Sequence, residues 1–203
     1  MKLETRNFWA TVLCAAVVGG TLTACAPIIL GGAAVGALVA TDRRTSGAQL
    51  EDEGIELRAA GRIRANLGDR VHINVVSYNR QVLLTGEVPN AQDKQLVEQI
   101  ASRVENVRAI VNELGVLGNS TLSQRSLDAL TTGKVKASMV DAKDLYANAF
   151  KVVTERGTTY LMGRVTQREA TRATELTRNT GGVQKVVRVF EIISEEELRR
   201  TLP

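Results

Sequence analysis

The sequence predicts an α+β fold made of two tandem αββαβ units, each with helices packed on one face of a mixed three-stranded sheet. Three observations carry this. The stretch QVLLTGEVPNAQDKQLVEQI, from Gln81, lies over TTYLMGRVTQREATRATELT, from Thr158, at a constant offset of 77 residues, the mark of an internal repeat. Within each copy, two runs alternate apolar and polar residues with period two, as half-buried strands do. The segments flanking these runs are rich in helix formers.

In the first copy, Glu51 to Leu67 reads as a helix. Ile73, Val75 and Ser77, then Val82, Leu84, Gly86 and Val88, lie on alternating faces of two strands. YNRQ, from Tyr78, supplies the turn of a hairpin. Asn90 stands where a helix N-cap is wanted, ahead of a helix over Ala91 to Arg103, and VRAIVNEL, from Val107, returns to strand-forming residues. The second copy repeats the order: a helix over Ser123 to Val140, a hairpin turned at ERGT, Thr166 as N-cap, a helix over Gln167 to Asn179, and VQKVVRVF from Val183. The last segments match at an offset of 76, one residue having been lost between helix and strand. Gly86 and Gly163 occupy equivalent interior strand positions, and each is read as a point where a helix crosses the sheet closely.

The N-terminus has another character. Lys2 and Arg6 precede an uncharged run from Phe8 to Ala24, the pattern of an export signal. Leu22-Thr23-Ala24-Cys25 resembles the lipobox of bacterial lipoproteins, and the resemblance implies cleavage before Cys25, a diacylglyceryl thioether on its sulfur and acylation of the new amine. Ala26 follows where an Asp commonly retains such proteins in the inner membrane, so the same resemblance points to the outer membrane. APIILGGAAVGALVA, from Ala26, is fifteen apolar residues. That is short of the ~20 a spanning helix needs, and it reads as a membrane-proximal segment. The expected organisation is a signal peptide over 1–24, a lipidated N-terminus and tether over 25–49, domains over 50–117 and 123–193, and a tail over 194–203.

Composition bounds the chemistry. The two cysteines are Cys14 and Cys25, which leaves no thiol for a disulfide framework or a cysteine metal site beyond residue 25. His72 is the single histidine, read as an ordinary strand residue with no second His or Cys to share a metal. The carboxylates of Glu51, Asp52 and Glu53, and those of Glu195, Glu196 and Glu197, read as solvated faces or helix starts. No hydrolase constellation or phosphate-binding loop is visible, so no enzyme, metal or cofactor is expected.

The αββαβ order, with VLLTGEV and YLMGRV carrying Gly86 and Gly163, is similar to the BON domain of bacterial envelope proteins. With the lipobox and the ATDRRTSGAQLED segment, from Ala40, the chain resembles the dual BON-domain outer-membrane lipoproteins. What the resemblance implies is a phospholipid-binding protein of the periplasmic leaflet that preserves outer-membrane integrity.

Charge points to the second copy. Residues 50–115 carry eight Lys and Arg against ten Asp and Glu, whereas 119–193 carry twelve against seven. Export removes nucleic acid as a partner and leaves an anionic phospholipid membrane or an envelope protein complex. At ~100° per residue, Thr131, Val135 and Met139 share the side of their helix that suits the sheet, while Leu130, Lys134 and Ala137 fall opposite. With Leu127, Gly133 and Lys136, and Arg125 near, these form the expected membrane-binding face. In the dual BON-domain lipoproteins a Trp commonly stands where this chain has Leu130. The alternative reading is a periplasmic adaptor that docks on an envelope-assembly or cell-wall complex through the same basic face or a free sheet edge.

Overall fold

A computed structural model describes residues 42–201. The expected signal peptide and Cys25 lie outside the described residues. Helix α1 (Ser46–Leu67) begins at Thr45, whose hydroxyl accepts a hydrogen bond from the Ala48 N–H at 3.2 Å. It buries Asp52, Ile55, Ala59, Ile63 and Leu67, spaced three or four apart along one face. Strands β1 (His72–Tyr78) and β2 (Gln81–Val88) pair antiparallel, with Val75 opposite Leu84. Asn79 and Arg80 join them at φ 49° and 66°, the doubly left-handed turn whose twist matches a two-residue hairpin. Helix α2 (Ala91–Ser102) is capped by Asn90. The chain then returns as β3 (Ala109–Asn112) and β4 (Gly115–Val116), both parallel to β2. The third strand of this sheet is therefore interrupted at Glu113 and Leu114.

The second unit repeats the plan. Helix α3 (Leu122–Asp141) starts from a capping box of Thr121 and Gln124. Strands β5 (Lys151–Glu155) and β6 (Thr158–Thr166) form a hairpin turned at Arg156 and Gly157, at φ 48° and 71°. Helix α4 (Gln167–Arg178) is boxed by Thr166 and Glu169, and β7 (Lys185–Ile193) pairs in parallel with the whole of β6.

Each sheet carries its helices on one face. Val82, Leu84 and Val88 point from β2 toward Ile55, Ala59 and Val97, and Leu161 and Val165 point from β6 toward Val135, Met139 and Ala173. The intervening residues face the other way and meet one another. Val76, Tyr78 and Leu83 of the first sheet form a third buried cluster with Tyr160, Met162 and Val189 of the second. The molecule is thus helices, sheet, sheet, helices, with the two units joined through the strand faces that their own helices leave bare. Each aliphatic side chain buried there contributes about 1.5–3 kcal/mol.

Polar contacts lock the seam. The buried Arg43 guanidinium forks onto Glu169 at 2.6 and 2.8 Å across it, while within the first unit Arg44 joins Asp52 at 2.7 Å and stacks 4.3 Å over the Tyr78 ring. Lys151 reaches Glu56 at 2.5 Å.

Several expectations need correction. The stretch assigned to the tether up to residue 49 belongs to the folded body from Asp42 onward, because Arg43 and Arg44 are anchored and α1 starts at Ser46. The C-terminal tail contains a helix, α5 (Glu195–Thr201), docked by the buried Leu198 and by an ion pair of Glu197 with Arg164. No crossing helix explains the two strand glycines. A Cβ on Gly86, at φ 111°, would lie 2.1 Å from the His72 carbonyl oxygen, and one on Gly163 would lie 2.4 Å from that of Ala149. The close neighbour is backbone at the start of the hairpin, in the same place in both copies. Asp52 is no solvated face: it is buried and accepts from the Ser77 hydroxyl and the N–H groups of Asn79 and Arg80 at 2.7–2.8 Å.

Candidate functional site

Helix α3 is fixed from beneath at successive turns. Asp128 accepts the N–H groups of Arg156 and Gly157 at 2.8 and 2.9 Å, tying the helix to the β5–β6 turn just as Asp52 ties α1 to the first hairpin. Thr131 is buried, and its hydroxyl donates to the Leu127 carbonyl at 2.9 Å. It packs so closely on Gly182 that a Cβ there would come within 2.5 Å of the Thr131 hydroxyl oxygen. Val135 and Met139 fill the core beyond.

This leaves an outer face with no work inside the fold. Leu127 and Leu130 are 61% and 62% exposed, and Leu122 and Val140 are also out in solvent at the two ends of the helix. Leu127, Leu130 and Lys134 line a groove of about 440 Å³ whose other wall includes Arg156, Gly182 and Gln184. Around the helix, Leu130, Gly133, Lys134 and Ala137 share an open apolar surface with Ser126 and Ala129. Lys136 is exposed but borders neither region.

The structure therefore brings together Leu127, Leu130, Gly133, Lys134 and Ala137, with Lys136 on the adjoining surface. Arg125 does not join them, because its guanidinium is spent on Ser120, donating to the hydroxyl at 3.1 Å and to the carbonyl at 2.9 Å. Sequence reasoning missed Ser126 and Ala129, which the same helical projection places on this face, and Arg156, which only the hairpin turn delivers. No helix among the described residues is long and apolar enough to cross a membrane.

His72 lies in β1, as expected of a strand residue, and its side chain has polar neighbours. Its Nδ1 lies 2.9 Å from Glu87 and 3.8 Å from Glu155 across the seam between the units. Burial would raise the Glu87 carboxyl, but Arg156, the Ser120 N–H and His72 together hold it below the usual carboxylate range.

Comparison with known proteins places these features. The BON domain family model matches residues 52–118 and 127–194. The chain is 37% identical over 174 residues to the outer membrane lipoprotein DolP of Haemophilus influenzae, covering 85% of this chain and 90% of that protein. It is 33% identical over 154 residues to a 21 kDa hemolysin of Actinobacillus pleuropneumoniae, covering 75% of this chain and 79% of that one. Among solved structures, CdsD, a structural protein of the type III secretion system of Chlamydia trachomatis, aligns over 70% of this chain and 95% of its own at 12% identity, with a TM-score of 0.30. Two BON matches in register with the two αββαβ units, and a relative of that closeness along most of the length, show that the chain belongs to the family of dual BON-domain outer-membrane lipoproteins that includes DolP.

Proposed function

We propose that the protein is a non-catalytic component of the outer membrane, lipid-anchored through Cys25 in the periplasmic leaflet, that binds anionic phospholipid with the outer face of α3 and thereby helps preserve outer-membrane integrity. The observation that carries this is the row of exposed Leu127 and Leu130 beside Lys134, with exposed Lys136 on the adjoining surface, on a helix whose opposite side is wholly committed to the fold. A lysine near an anionic surface contributes about 1 kcal/mol, so two of them with a shallow apolar contact bind weakly on their own. Acyl chains on Cys25, at about 0.8 kcal/mol per buried CH₂, would hold the domain beside the bilayer and turn that weak contact into a local one. The likeness to an outer membrane lipoprotein supports the compartment, and the apolar LTAC signature supports the anchor.

The test is co-sedimentation of the soluble form beginning at Thr41 with vesicles, with and without anionic lipid. The wild type is expected to sediment with anionic vesicles and the Leu130→Glu/Lys134→Glu double variant to remain in solution. Equal sedimentation of the two would refute the lipid contact. A protein crosslinked in cells through the same face, with vesicle binding absent, would instead identify an adaptor on an envelope complex.

A further inference from the structure

We propose that His72, Glu87 and Glu155 form a binding site for a divalent transition metal, zinc by its donor set, that staples the two domains together. The site lies at the seam, away from the outer face of α3. His72 and Glu87 come from β1 and β2 of the first domain, and Glu155 comes from the end of β5 in the second. One ligand atom from each, the imidazole Nδ1 and a carboxylate oxygen apiece, falls within 4.8 Å of the others. A tetrahedral zinc with bonds of about 2.0–2.2 Å sets its ligands about 3.4 Å apart. The observed 2.9 Å and 3.8 Å from His72 to the two carboxylates bracket that spacing.

The surroundings are those of a supported site. Glu87 is fully buried, and its two oxygens are divided: one takes the Arg156 guanidinium at 2.5 Å, while the other faces His72 and accepts from the Ser120 N–H at 3.1 Å. Such partners orient a ligating carboxylate, and the Ser120 hydroxyl borders the same place, 3.2 Å from that second oxygen and 3.4 Å from His72 Nδ1. Glu155 is the anomaly. Its side chain is only 11% exposed, and its one ion-pairing neighbour among the described residues is the His72 imidazole, 3.8 Å away. A cation among the three would give this nearly buried acid a closer counter-charge than the His72 imidazole does. His72 and Glu155 also border a groove of about 450 Å³ that gives solvent access, leaving room for a water as the fourth ligand.

The internal duplication shows that packing does not require this trio. At the equivalent place on the other side of the seam stand Ala149, Arg164 and Tyr78, and there the Tyr78 hydroxyl donates to the Ala149 carbonyl and accepts from the Arg164 N–H, both at 3.4 Å. The fold closes that side with a neutral hydroxyl, so the imidazole and two carboxylates are particular to the first. Nitrogen and oxygen donors of this mixture suit zinc better than calcium or magnesium, which favour all-oxygen sets.

The experiment uses the full chain purified from membranes in detergent, stripped with a chelator and titrated calorimetrically with zinc, with cobalt(II) absorption as the spectroscopic readout. One equivalent of zinc is expected to bind, with a cobalt spectrum free of the intense thiolate band that a cysteine ligand would give. His72→Gln and Glu155→Gln, each verified as folded by circular dichroism, are expected to weaken binding at least about tenfold, while exposed Glu175→Gln leaves it unchanged. Glu155→Gln removes a nearly buried charge whose one ion-pairing neighbour among the described residues is 3.8 Å away, so the fold is expected to survive it. Absence of saturable binding up to about 1 mM zinc, retention of affinity in either ligand variant, or a thiolate band would overturn the proposal.

Discussion

Asp52 and Asp128 occupy equivalent places and do equivalent work, each clamping a left-handed hairpin turn to the first helix of its unit, but their surroundings differ enough to separate them energetically. Asp52 is buried, pairs with Arg44 and accepts from the Ser77 hydroxyl and two N–H groups, whereas Asp128 takes only the two turn N–H groups. Breaking a buried ion pair costs about 3–5 kcal/mol, and weakening hydrogen bonds to a carboxylate costs about 1–3 kcal/mol. Asp52→Asn is therefore expected to lower the urea midpoint substantially more than Asp128→Asn, at unchanged m-value. Burial alone would raise the Asp52 carboxyl, but the Ser77 hydroxyl, the Arg80 N–H and Arg44 hold it below its ordinary value; Arg43 and the Thr166 N–H do the same for Glu169 against its burial. A folded pKa below the unfolded one means that stability is present above the ordinary carboxylate range and lost as pH falls through the folded values. Unfolding free energy measured from pH 7 downward is expected to fall below about pH 4, with a shallower acid slope in Asp52→Asn. Gly86 adds a third residue with a definite role: its left-handed φ and the His72 carbonyl at 2.1 Å from a hypothetical Cβ leave no room for alanine, so Gly86→Ala is expected to cost more than about 1 kcal/mol.

Helix α3 shows how far an element can be read from sequence. Its helical projection separates Thr131, Val135 and Met139 from Leu130, Lys134 and Ala137, and the structure buries the first group and exposes the second. That separation follows from spacing alone, whereas the loss of Arg125 to Ser120 could not be foreseen, since the partner lies in the linker before the helix. The start of α1 is signalled by Thr45, an ordinary N-cap residue, but Ser46-Gly47-Ala48 after it resembles a tether until Arg43 is seen to be pinned by Arg164 and Glu169 and Arg44 by Asp52. Gly86 and Gly163 were recognisable as close approaches, but a sequence cannot name the approaching atom. At this scale two substitutions separate fold from function. Nothing lies within 4 Å of a Cβ built on Gly133, so Gly133→Ala is expected to raise stability by about 0.5–1 kcal/mol in thermal or urea unfolding through helix propensity. Leu130→Trp is expected to strengthen vesicle binding, because an indole favours the headgroup region, while leaving the unfolding midpoint within about 0.5 kcal/mol as an exposed change should. Unaltered vesicle binding in Leu130→Trp would count against the outer face of α3 as the lipid contact.

The whole molecule depends on strands that are apolar on both faces. Val82, Leu83 and Leu84, and Tyr160, Leu161 and Met162, are consecutive apolar residues, and such runs mark strands covered on both sides; an αββαβ unit with helices on one face supplies only one of the covers. The sequence thus held the information that something lies on the other face, although not that each unit is the other's cover, which only the contact of Leu83, Tyr78 and Val76 with Tyr160, Met162 and Val189 establishes. The consequence is that neither domain is expected to stand alone in the same form. Residues 119–203 made by themselves would expose the apolar strand face of β6 and β7, and light scattering should find self-association where the longer chain from Thr41 is monodisperse. In that longer chain, Leu83→Ala removes a fully buried side chain from the shared cluster without touching either helix-facing core, and a loss of about 2–5 kcal/mol is expected. Because both sheets hold the cluster, the loss should fall on one cooperative transition, with circular dichroism and tyrosine fluorescence giving coincident urea curves in both wild type and variant. Two separated transitions, or a Leu83→Ala protein as stable as the wild type, would mean that the sheets do not close on each other in solution. The seam would then be too loose to bring Glu155 to His72, so the unfolding measurement and the zinc titration bear on the same contact from independent directions.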